Sequence, residues 1–181
     1  MHATGVDLLR YLPVPELLMV ALVGLGAAVA AAASPVRRGE LFVGVRRAAT
    51  VLLIGAVLGV LVLTLLDGMS GGVNLVPGRG IASSLSNINR DLGLFNILGN
   101  TLMLAPLGFL YPLVRRVGWL ETAASCAAFS VSIEVTQLLL GRSADVDDVL
   151  LNTLGGALGA AVGVATARWL SRRTGIDTVR D

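Results

Sequence analysis

Five blocks of almost uninterrupted apolar residues, at about 16–33, 48–66, 95–114, 120–140 and 149–169, restrict what this chain can fold into. Each has the length at which a helix rising ~1.5 Å per residue crosses a hydrocarbon layer of about 30 Å. Lipid offers no partner to open backbone groups, so such segments span as helices whose hydrogen bonds close internally. Hydrophobic residues make up 55% and charged residues 14% of the chain, and the mean hydropathy of +0.80 exceeds what a soluble core of 181 residues requires. The expectation is an all-α, polytopic membrane helix bundle with about five transmembrane helices.

The arginines orient such a bundle. The 34–47 connector, the 114–119 connector and the region from Arg168 onward hold ten of them, whereas the N-terminus, the long 67–94 connector and the 141–148 connector hold four, Arg10, Arg79, Arg90 and Arg142. Cytoplasmic loops carry the excess of basic residues, which places the N-terminus outside and the C-terminus in the cytoplasm. The first block ends in small residues of the kind signal peptidase accepts, but Asp7 and Arg10 leave its leading region without net positive charge, so it reads as an uncleaved helix. The chain then divides into two N-terminal transmembrane helices (1–66), an extracytoplasmic loop (67–94), a three-helix core (95–170) and a cytoplasmic tail (171–181).

Several chemistries drop out. The only histidine is His2, and all 14 basic residues are arginine, which removes histidine triads, histidine zinc motifs, Schiff bases and lysine phosphate loops. Cys126 stands alone, so neither an intrachain disulfide nor a cysteine metal site can form. The arginine pairs flank helices rather than forming a basic patch interleaved with aromatics, so nucleic acid is not a partner.

Polarity is concentrated instead between Ser132 and Asn152, which holds four of the twelve acids. A charged carboxylate inside hydrocarbon costs roughly 3 kcal/mol or more, so Glu134 must face protein or a wet cavity. Gln137 lies one turn further on the same face, followed by Arg142, Asp145, Asp147 and Asp148 in a short connector and by Asn152 in the fifth block. In the third block Asn96 and Asn100 are also one turn apart, ahead of Pro106 and Pro112, which are expected to kink that helix. Under the arginine-derived orientation six polar residues of three helices, Asn96, Asn100, Glu134, Gln137, Asp148 and Asn152, fall in one leaflet, with Glu134 about 9 Å below the outer interface at ~1.5 Å per residue. Gly55 and Gly59, and then Gly155, Gly159 and Gly163, form GxxxG steps that permit close helix packing and would also serve a homo-oligomer.

The ordered pattern NILGN with PLGFL in the third block, then SIEVxQL and RxxDVDDVLxNTLGGxLG, resembles the VanZ-like family of bacterial membrane proteins over about 74–159. The resemblance implies a multi-pass protein of the bacterial cytoplasmic membrane. It carries the family's polar positions onto Asn96, Asn100, Glu134, Gln137, Arg142, Asp145, Asp148 and Asn152, and leaves Asp147 as an extra acid of doubtful importance. The family takes its name from a member that raises resistance to the lipid-tailed glycopeptide teicoplanin.

Two function classes follow. In one, an outward-facing site binds or modulates an amphiphilic cell-envelope component, with Asn96, Asn100, Gln137, Arg142, Asp145 and Asn152 contacting it and membrane lipid as surroundings. In the other, a membrane enzyme acts on a lipid-linked envelope substrate: Glu134, with Asp148, is the acid or base, Asp145 and Asp148 ligate substrate or a divalent cation such as Mg²⁺, and Arg142 clamps a phosphate or carboxylate. No nucleophile is evident, since Ser130, Ser132 and Ser143 have only arginine as a basic neighbour, which favours binding. Transport is the weakest reading, because the inner halves of the last three blocks lack the ionisable chain that a path needs.

Overall fold

The computed structural model describes residues 38–66, 72–86 and 90–175; the expected first helix at 16–33 lies outside them. The elements run α1 (Arg38–Leu66), β1 (Val73–Asn74), α2 (Arg79–Leu85), α3 (Arg90–Met103), α4 (Ala105–Arg115), α5 (Trp119–Leu139), β2 (Ala144–Asp145) and α6 (Val146–Thr174). The molecule is a helical membrane bundle. Four stretches among the described residues are long and apolar enough to span: Val43–Val62, Asp91–Arg115, Trp119–Leu139 and Val146–Arg173.

Several element limits differ from the sequence expectation. Helix α1 begins ten residues before position 48, because Arg46 and Arg47 extend the helix beyond the apolar block with their side chains exposed. The third block is two helices. Pro106, in the first turn of α4, has no N–H to give the preceding turn, and the chain breaks at Leu104 before resuming. Pro112 sits inside α4 and is buried, without ending it. Helix α6 runs to Thr174, so residues 171–174 belong to it rather than to a tail. The 67–94 connector is also more ordered than a loop, since it contains β1, α2 and the start of α3.

Helix α6 is the axis, in contact with each of the other helices. Its glycines set the spacing. A Cβ on Gly155, Gly159 or Gly163 would fall 1.6, 2.1 or 2.3 Å from the carbonyl oxygens of Thr101, Ala105 and Phe109, one turn apart along α3 and α4. From the other side, a Cβ on Gly108 would lie 2.0 Å from the Gly156 oxygen. The bundle is therefore held by backbone-to-backbone contact, the route open to helices that gain nothing by hiding apolar surface from lipid. Two apolar clusters complete it, one of Ala49, Leu110, Leu113, Ala167 and Leu170, the other of Val60, Leu104, Leu107, Cys126 and Ile133.

Candidate functional site

The turn between α5 and α6 builds the polar end of the bundle. Gly141 adopts φ 74°, which lets the Arg142 N–H close onto the Gln137 carbonyl at 3.0 Å and the Gly141 N–H onto Leu138 at 3.0 Å. The chain then pairs β2 with β1 in parallel, Val73 opposite Ala144 and Asn74 opposite Asp145. Asp145 caps α6 by accepting the Asp147 N–H at 2.9 Å, and Asp147 and Asp148 fill the first turn, where the helix dipole favours acids. The acids expected in a connector are thus mostly a helix start.

Asp147 is the largest departure from the sequence reading. It is 2% exposed, and its carboxylate accepts the backbone N–H groups of Gly78 at 2.6 Å, Gly80 at 2.7 Å and Ile81 at 3.1 Å. These are the open donors at the start of α2, so the acid that looked dispensable fastens the 72–86 segment across the end of the bundle. Asn74 reinforces it by donating to Asp145 Oδ1 at 2.9 Å. A Cβ on Gly80 would stand 2.6 Å from Asp145 Oδ2, so a side chain here would push the Asp145 carboxylate aside.

Beneath this fastening lie two polar rungs. In the upper, Glu134 Oε2 accepts the Asp145 N–H at 2.9 Å, and the Asn100 amide donates to Asp148 Oδ1. The Glu134 and Asp148 carboxylates are close enough for their charges to act on each other. One helical turn deeper, Asn152 Nδ2 donates to Ser130 Oγ at 3.2 Å between α6 and α5. Asn152 is 1% exposed, and its Oδ1 is buried without a hydrogen-bond partner.

Gln137 and Arg142 point elsewhere. The Gln137 amide donates to the Thr64 carbonyl at 3.3 Å and Arg142 Nη1 to the same oxygen, while Arg142 Nε is buried without a partner. Both therefore cap the last turn of α1, where carbonyls have no intrahelical partner, rather than pair with the acids. Asn96 is exposed, and among the described residues no hydrogen bond joins it to the rungs. Of the sequence-derived set, then, Asn100, Glu134, Asp148 and Asn152 come together, Asp145 holds the roof, and Gln137, Arg142 and Asn96 stand apart. Asp145 Oδ1 accepts both the Asn74 amide and the Asp147 N–H, and no three His, Cys, Asp or Glu side chains among the described residues converge on one point. Ser130, Asn74 and Asp147 are the residues the sequence reading missed. The glycines at 78 and 80 after Pro77 were the available sign of exposed backbone donors that need an acid.

A family model described as VanZ/LLP1 matches residues 50–167, well over half of the chain and wider than the 74–159 motif region, since it takes in most of α1. No curated protein and no solved structure gives a significant match. With its four spanning stretches and its polar rungs inside the matched region, this multi-pass membrane chain belongs to the VanZ/LLP1 family.

Proposed function

We propose that the protein binds the polar headgroup of an amphiphilic cell-envelope component at the Glu134–Asp148 level, with the tail of that amphiphile lying in the bilayer along α3, α5 and α6. One observation carries the reading: two acids and two amides from three helices gather on two successive rungs, Asn100 on Asp148 and Asn152 on Ser130, beside helix faces whose leucines remain exposed. Leu98 and Leu102 of α3, Leu138 of α5, and Leu150 and Leu154 of α6 are such residues, each about half exposed. A headgroup would meet hydrogen-bonding partners there while its chain stays in lipid.

On the arginine count this end of the bundle faces outward from a bacterial cytoplasmic membrane. Resistance to a lipid-tailed glycopeptide of the teicoplanin type is then the expected phenotype, through competition for the drug's membrane anchorage or through an altered envelope. The test compares wild type with Glu134→Ala at matched membrane abundance in a sensitive Gram-positive host, scoring teicoplanin against vancomycin, which lacks the tail. Selective protection by wild type and none by the variant supports the reading. Equal susceptibility to both drugs with either protein removes resistance from it.

The action of the Glu134 and Asp148 charges on each other favours a second reading, acid–base catalysis on a lipid-linked substrate. Glu134→Gln separates the two. Full function in that variant excludes proton transfer by Glu134, whereas an effect confined to ligand binding, with no reaction lost, supports recognition.

A further inference from the structure

The balance of donors and acceptors at the rungs narrows the ligand. This step rests on the amphiphile reading and adds the chemistry of the headgroup. The site is rich in acceptors: Glu134 has one oxygen on the Asp145 N–H, Asp148 has one on the Asn100 amide, and the remaining oxygen of each carboxylate has no hydrogen bond among the described residues. Below them Asn152 Oδ1 is a buried acceptor with no partner at all. Asn152 follows Asp148 by one turn on α6 and Ser130 precedes Glu134 by one turn on α5, so the second rung lies directly under the first. Helical side chains lean toward the N-terminus, which tilts Asn152 toward Asp148.

Cations are correspondingly scarce. Arg142, the basic residue nearest in sequence to these acids, is near enough for its charge to act on Glu134, but its Nη1 donates to the Thr64 carbonyl rather than to a carboxylate. Two carboxylates with an open oxygen each, above a buried amide oxygen that has no partner, favour a positive, hydrogen-bond-donating ligand. An ammonium group, with N–H donors that can be shared among separate oxygens, fits this set. We infer that the site takes a primary ammonium carried on an amphiphile's headgroup.

The test uses the full chain in nonionic detergent and reads lipid binding by native mass spectrometry, with acyl chains matched across headgroups. Phosphatidylethanolamine carries a primary ammonium, phosphatidylcholine a cation without N–H donors, and phosphatidylglycerol hydroxyls without a cation. Phosphatidylethanolamine should bind at least about tenfold more tightly than either, and Glu134→Gln or Asp148→Asn should each reduce that preference by about tenfold, the scale of one charge-assisted hydrogen bond. Free phosphoethanolamine distinguishes the sources: failure to compete at millimolar concentration places the ammonium on a tailed molecule, whereas full competition overturns the tailed-ligand inference. If the three lipids bind alike, or phosphatidylglycerol is preferred, and the variants still weaken them, the ammonium inference is overturned while the amphiphile reading survives. If none is retained by wild type, both fall.

Discussion

At the scale of single residues, Asp147 shows how a side chain can matter through backbone alone. Its three N–H partners at Gly78, Gly80 and Ile81 would lose their acceptor in Asp147→Ala, a loss of about 2 kcal/mol for partly buried donors facing a charged group. The expected outcome is a lower unfolding temperature in detergent and faster tryptic cleavage after the exposed Arg79, with cleavage elsewhere little changed. Unaltered cleavage at Arg79 would show that the 72–86 segment is held by something else. The sequence could reveal the acids but not this role, because the partner is main chain as many as 69 residues away and main-chain donors have no letter of their own. The asparagines make the same point from the other side. Asn96 and Asn100 share a helix face, yet only Asn100 reaches Asp148, and spacing cannot say which turn of α3 lies level with the start of α6. Glu134, by contrast, was legible from cost alone, since a carboxylate in an apolar run requires a partner, and it has one in the Asp145 N–H.

Among the helices, the apolar blocks announced the spans, and the glycine spacing announced which face of α6 packs tightly. The blocks did not reveal the break at Leu104, where a proline expected to bend one helix separates two, nor the helical character of the acidic turn, because charge density resembles a connector until Asp145 is recognised as a cap. The glycine face yields a sharp contrast. Gly155→Ala puts a methyl group 1.6 Å from the Thr101 oxygen, so α3 and α6 must separate, with an expected cost of about 1–3 kcal/mol, the range for overpacked interiors. Gly99, also within α3, has nothing within 4 Å of where its Cβ would be, and Gly99→Ala should hold or slightly raise stability through helix propensity. Thermal unfolding of the two variants side by side checks this. Equal melting temperatures would mean that the α3–α6 distance adjusts freely, and the level of the Asn100–Asp148 contact would then not be fixed by packing.

For the whole molecule, the function rests on which side of the membrane the polar rungs face, and the arginine distribution is the argument for outside. The described structure sharpens that argument. The roof segment 72–86 and the α5–α6 turn lie at one end of the bundle, joined by the β1–β2 pairing and by Asp147, while Arg115 and Arg116 close α4 and Arg172 and Arg173 close α6 at the other. The two ends can be told apart chemically because the chain's only cysteine, Cys126, is buried and contributes little background. Ser83→Cys, on the exposed surface of α2, and Arg172→Cys, exposed near the end of α6, therefore give single reporters at opposite ends. A membrane-impermeant maleimide added to intact cells should modify the first and leave the second unmodified until the membrane is permeabilised. The reverse pattern would turn the Glu134–Asp148 level toward the cytoplasm, and an antibiotic acting outside the cell could no longer meet it. The headgroup chemistry would survive that reversal, since the donor deficit at Asn152 and the two acids is independent of orientation, but the client would then be drawn from the inner leaflet.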